Sequence, residues 1–169
     1  VKEGRVTWKA PEAGWLLTAV TSRAYSVDWL SPKVADRWLD KVYGAFLDKM
    51  PEFIGNTFKG YIQDELAVLA GEIVYSTDLL EQFTADKGYD PRPELVALFY
   101  DIGPRTEKIR CEYHEKVAEL LEKNVYAHIA QWHERHNLVY GTIAIRGRQD
   151  ILAETGHFGD MFRLMRWYH

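Results

Sequence analysis

Two carboxylates stand side by side in "FKGYIQDEL", where Asp64 and Glu65 follow a short apolar run over residues 58–63 that closes on Gln63. A strand that ends this way presents polar side chains to a ligand. Successive residues of an extended strand point to opposite sides, so the two groups do not act as one adjacent pair. One faces the site and the other a loop or a helix terminus. An equally simple reading has Asp64 capping the following helix and Glu65 solvated in its first turn. A second cluster follows the last strand-like run. Arg146-Gly147-Arg148 and Asp150 lead into "AETGHFGDMF", which places Glu154 and His157 in one loop. Arg146 there can hold a hydroxyl-rich ligand or pair with a carboxylate, or the whole segment is a solvated loop with a capping Asp.

Other chemistries find no support. His133 and His136 in "HERH" flank Glu134, but the spacing is not that of the zinc motif H-E-x-x-H. They are expected to form a charged helix end, where basic side chains suit the helix dipole. The sequence holds no Gly-rich phosphate loop, no G-x-S-x-G elbow and no paired C-x-x-C. Metal ligands cannot be named from it.

The elements that must position these residues alternate. "VTWKAPEAGWLLTAVTSRAY" is expected to be a hairpin turning at Pro11 and Gly14 and leading into a strand. In "SPKVADRWLDKVYGAFLDKM", Ser31 is a helix cap and Pro32 fits the first helical position. Val34, Trp38, Val42, Phe46 and Met50 recur every fourth residue, widened by Leu39 and Tyr43, until Pro51 ends the helix. Residues 58–63 form a buried strand, residues 77–86 a helix stopped at Gly88, and the segment after Pro91 and Pro93 a short helix. Over residues 106–136, Ile109, Tyr113, Val117, Leu120, Leu121, Val125, Ile129 and Trp132 draw one apolar helix face. Asn137 stops it, and residues 138–145 form a nearly uncharged strand of the kind covered on both faces in a parallel sheet. A closing helix carries Phe158, Met161, Phe162, Met165 and Trp167 on its apolar side.

Such alternation builds parallel strands joined by helical crossovers, either as an open α/β sheet or as an incomplete barrel, with binding chemistry at the carboxyl ends of the strands. A complete (β/α)8 barrel takes about 250 residues, and the chain has 169. About three β/α units are therefore expected, with long helices and the N-terminal β-hairpin. The chain opens at Val1, as expected of a piece of a longer product or of a processed one.

Composition narrows the partners. A net charge of −4 without a Lys or Arg run leaves no electrostatic footprint for nucleic acid. No apolar run reaches the roughly 18 residues of a membrane helix. The single Cys111 cannot form an internal disulfide. Six Trp and ten Tyr can fill a core or form a sugar-binding surface.

The order of segments "VTWKAPEAGWLL", "VDWLSPKVADRWLDKVYGAF", "FKGYIQDEL", "KGYDPRPELVALFYDIG", "RTEKIRCEYHEKVAELLEKNVYAHIAQWHERHNLVYGT" and "AETGHFGDMFRLMRWYH" resembles the catalytic-barrel region of glycoside hydrolases of family 106, the α-L-rhamnosidase type. The similarity runs through nearly the whole chain. It implies a partial (β/α)8 TIM-barrel-type arrangement over residues 25–169, entered over residues 1–24 from a preceding β-rich domain. Carboxylate chemistry on a carbohydrate substrate is implied with it. Glu65 would then be the general acid, its pKa raised beside Asp64 in a partly buried cleft. Glu154 would be a base or a calcium ligand, with Gln63, Asp64, Arg146 and His157 as substrate-binding or supporting groups. Characterised members of that family are calcium-dependent and inverting, and such enzymes often work outside the cytoplasm, which makes Ca2+ and an extracellular or periplasmic parent protein expectations here.

Two departures qualify these implications. A family member would continue past His169, and a second catalytic carboxylate could lie there. Glycosidases place two carboxyl groups about 5–9.5 Å apart. A chain with one of them would be a truncated carbohydrate-binding or structural module, or would self-associate to cover the open side of the sheet. A helical interaction domain is a third reading and requires exposed apolar positions on both faces of the long helix.

Overall fold

A computed structural model describes residues 7–15, 17–22, 27–64, 69, 73–143, 155–156 and 158–169. The first helical rod comprises α1 (Pro32–Trp38), a π-helical turn (Leu39–Gly44) and α2 (Ala45–Lys49). Pro32 occupies its first turn, and Ser31 has the extended backbone of an N-cap without a side-chain cap bond. The rod ends at Pro51, where a 3-10 turn (Pro51–Phe53) begins. Its sequence carries two adjacent apolar ridges, and the core takes the second. Ala35, Leu39 and Tyr43 are buried, whereas Val42 and Phe46, expected on the buried stripe, are exposed.

Strand β1 (Gly60–Asp64) pairs in parallel with β2 (Val139–Ile143), Tyr61 opposite Tyr140 and Gln63 opposite Thr142. Between them lie α3 (Leu79–Lys87), a 3-10 segment (Arg92–Leu98), α4 (Thr106–Leu121), a π-helical turn (Glu122–Tyr126) and α5 (Ala127–Arg135). The parallel pair with a helical crossover is the expected α/β unit. Gly88, at φ 78°, ends α3 as its sequence predicts. The long helix is likewise continuous, since the residues at the junctions keep right-handed helical dihedrals. All eight positions of its predicted apolar face are buried. Asn137 then turns the chain with φ 55°, a left-handed conformation that Asn tolerates better than most residues. The Leu138 amide donates to the His133 carbonyl at 2.9 Å, and β2 begins.

Strand pairing starts at a close approach that only glycine permits. The Val139 amide donates to the Lys59 carbonyl at 2.8 Å, and a Cβ on Gly60 would lie 2.0 Å from the Val139 carbonyl oxygen. Gly60→Ala must therefore push the strands apart, with an expected loss of about 1–3 kcal/mol in a urea melt. The same change at Gly88 meets no neighbour within 4 Å but is strained by its positive φ, which gives a comparison for backbone strain without a clash.

The core lies between this strand pair and the helices and includes Leu39, Tyr43, Tyr113, Leu121, Tyr126, Ile129, Trp132 and Tyr140. Among the described residues, helices cover only one side of the sheet. Tyr61, Gln63 and Tyr140 face them, while Ile62 and Val139 stand 75% and 51% exposed on the other side. The expectation that residues 138–145 are covered on both faces is thus corrected for Val139, because among the described residues no second layer packs there.

Two further expectations change. Residues 7–15 turn at Pro11–Gly14 and bring Trp8 and Trp15 into edge contact at 5.8 Å, but no strand forms among the described residues 7–15 and 17–22. Both indoles are exposed, so no buried face recruits a ladder. At the other end, Gly159 (φ 70°) resets the helix phase, and α6 (Met161–Met165) starts afresh from Asp160, whose side chain accepts from the Arg163 amide. Phe158, Met161 and Leu164 are buried as a result, leaving Phe162 and Met165 exposed despite their predicted place on the apolar side. Among the described residues no helix is long and apolar enough to cross a membrane.

Candidate functional site

Side chains alternate along β1, and this alternation divides the cluster at its end. Gln63 points to the helical side and is buried. Its Oε1 accepts the Tyr140 hydroxyl, and its carbonyl accepts the Thr142 hydroxyl at 3.0 Å. The predicted ligand-binding amide is therefore engaged in tying the two strands together. Asp64, on the opposite side with Ile62, is exposed. The open face at the carboxyl end of the sheet thus carries a carboxylate. Glu65, Arg146, Glu154 and His157 lie outside the described residues.

Among the described residues no three metal-ligating side chains come together, and Asp64 alone does not make a site.

Beneath the first half of the strand pair lies an arrangement that the sequence did not reveal. His133, expected on a charged helix end, is fully buried. The Tyr140 ring stacks on its imidazole at 4.9 Å, with Tyr43 and Trp132 at 5.2 Å and Tyr61 at 5.7 Å around it. Tyr43 and Tyr61 stack on each other at 3.8 Å, so the first rod, both strands and α5 meet at one aromatic box. Burial, above all, pushes the phenols of Tyr43 and Tyr140 up and keeps them neutral. Aromatic density was visible in the composition, but which rings would meet was not.

On the outer side of the helices, Glu122 in the π-helical turn accepts the Trp167 indole N–H at 3.1 Å and forms an ion pair with Arg166, whose Nε lies 3.2 Å away and donates to the Arg163 carbonyl. Arg163 Nη1 lies 3.6 Å from the same carboxylate. This cluster fastens the C-terminal segment to the long helix. The donors already surrounding Glu122 make it a structural anchor.

A separate open cleft of about 1600 Å³ runs between the N-terminal segment and the residues around the 3-10 segment. Trp8, Trp15, Trp29, Tyr75, Phe99 and Tyr100 contribute to its walls, with Asp28 and Asp101 among them. The carboxyl of Asp101 is held below its ordinary range by the Gly103 amide and then by the Thr106 hydroxyl. Asp64 does not line this cleft.

No protein-family model matches the chain. A putative beta-glucuronidase from Formosa agariphila is 21% identical over 181 aligned residues, which cover 97% of this chain and 15% of the relative. A solved structure, a rhamnosidase from Novosphingobium sp. PP1Y, matches 85% of this chain and 13% of its own with a TM-score of 0.64 and 20% identity. The fold is glycoside-hydrolase-like. The chain spans a small part of the length of both proteins, so the likeness concerns the α/β unit and leaves the rest of such an enzyme unrepresented.

Proposed function

We propose that this chain is part of a glycosidase and contributes a catalytic strand end from an incomplete (β/α)8 barrel of the family 106 type. The observation that carries this reading is the parallel β1–β2 pair with Asp64 on its open face, immediately before Glu65. Ligands of α/β sheets bind at the carboxyl ends of the strands, and Asp64 is the last residue of β1. The far edge of β2 supports the barrel arrangement. The His169 amide donates to the Tyr140 carbonyl at 2.9 Å, so that edge can take a further backbone neighbour.

In this mechanism Glu65 protonates the departing glycosidic oxygen, while a second carboxylate, for which Glu154 is the candidate in this chain, activates water from the other side. Asp64, Arg146 and His157 hold sugar hydroxyls. The names of the two relatives differ in their sugar, so α-L-rhamnoside is the first substrate to try and β-glucuronide the second. The test is a screen of aryl glycosides with and without calcium. Turnover that depends on Glu65 supports the assignment, and a folded chain with no turnover on any member of the panel counts against a working site of this length.

The aromatic cleft favours a second reading, a carbohydrate-binding module without catalysis. Its rings offer flat apolar faces for pyranoses, with carboxylates nearby for hydroxyls. Trp8→Ala and Trp15→Ala remove exposed rings and are expected to weaken oligosaccharide binding by titration calorimetry while changing stability by about 0.5 kcal/mol or less. Self-association through Ile62 and Val139 belongs to the same proposal. Sedimentation velocity should show a concentration-dependent dimer that Ile62→Asp abolishes.

A further inference from the structure

The aromatic box contains a polar atom for which neither the fold nor the proposed chemistry accounts. His133 Nδ1 lies 2.8 Å from the Ile129 carbonyl, which requires the proton to sit on that nitrogen. Nε2 is then a bare acceptor, fully buried, and it has no hydrogen-bond partner among the described residues. Such an atom is costly to keep and is a natural place for a proton to arrive. The titratable groups that face the ring are Tyr43 from the first helical rod, Tyr61 from β1, Tyr140 from β2, His136 on its own helix and His169 at the edge of β2. None is a carboxylate, so nothing in the box awaits a positive charge.

We propose that His133 is a pH-sensitive latch: neutral, it completes the box that joins the long helix to both strands, and protonated, it opens the box and loosens the strand end that bears Asp64. A new N–H on Nε2 would have no acceptor in place, and the imidazolium would have to reach water. The Tyr140 ring stacked on the imidazole must then move, and its hydroxyl is bonded to the side chain of Gln63, next to Asp64. The disturbance therefore passes from helix to strand end through two side chains.

The direction of the pH response follows. Burial is the main influence holding the His133 pKa below its ordinary value, the nearby His169 and His136 add to it, and the bond to the Ile129 carbonyl opposes it. A histidine whose folded pKa is depressed stabilises the fold fully above its unfolded value of about 6.5, and that contribution is lost as pH falls below it.

Amide hydrogen exchange on the 169-residue chain tests the latch. Corrected for intrinsic rates, protection of β1 and β2 is expected to fall about ten-fold or more between roughly pH 7 and pH 5, with α3 changing far less. His133→Phe fills the box without a titrating atom and should remove the strand-specific fall. An unchanged fall in that variant, or equal losses in α3 and the strands, would overturn the proposal. Should the variant not fold, the His133 ring-carbon signal in the parent chain decides. A midpoint below about 6.5 that coincides with shifts of the Tyr140 and Gln63 signals supports the latch, and an ordinary midpoint or a titration without those shifts defeats it.

Discussion

Tyr140→Ala is expected to cost about 3–5 kcal/mol, the largest loss of stability from any single strand position. The side chain is fully buried, stacks on His133, lies against Tyr168 at 5.0 Å and bonds through its hydroxyl to Gln63. Truncation leaves a cavity where the helix layer meets both strands. Tyr140→Phe separates the two contributions, since it keeps the ring and strips only the hydroxyl. With Gln63 Oε1 then buried and unpaired, that variant should lose about 1–3 kcal/mol. Ile62→Ala is the comparison from the other face of the same sheet. Ile62 is mostly exposed, and its loss should stay within about 0.5 kcal/mol. Urea melts of the three variants check the ordering, and a loss at Ile62 equal to that at Tyr140 would contradict a sheet covered on one side.

How far the sequence could be read follows from where its information lies. The long helix was legible because its eight apolar positions repeat locally and its stop, Asn137, is a residue suited to the left-handed turn it makes. Strands at residues 60–64 and 139–143 fall within a residue or two of the runs expected at 58–63 and 138–145, of which 144 and 145 lie outside the described residues, and the parallel pairing followed from the helices between them. Burial of His133 was not legible. "HERH" has the local composition of a charged helix end, and what buries His133 comes from three other elements, through Tyr43 and Tyr61, distant in sequence, and Tyr140 on the strand that follows. Gln63 misled for a related reason. An amide beside two carboxylates suggests a ligand site until the register places it opposite Thr142 and within reach of Tyr140. In the first rod Leu39 and Tyr43, expected to widen the stripe, are buried and Tyr43 stacks on Tyr61, while Val42 and Phe46 of the stripe itself are exposed.

Glu65→Gln is expected to lower the turnover of an aryl glycoside by about 10²–10⁴ while leaving the melting temperature nearly unchanged. The size of that loss should depend on the leaving group. A general acid matters most where the departing oxygen is basic, so a phenyl or alkyl glycoside should suffer more than a p-nitrophenyl one. The basic limb of the pH profile, which reports the ionisation of that acid, should vanish with it. Asp64→Asn provides the contrast, because the alternation along β1 places Asp64 on the open face. A group that holds a sugar hydroxyl should raise KM more than it lowers kcat and should show no dependence on the leaving group. The two kinetic signatures therefore assign the two carboxylates separately. If the leaving-group dependence appears with Asp64→Asn and not with Glu65→Gln, the acid is Asp64 and the roles exchange; if both variants match the parent, the end of β1 is not a catalytic site, and binding in the aromatic cleft is left as the activity of the chain.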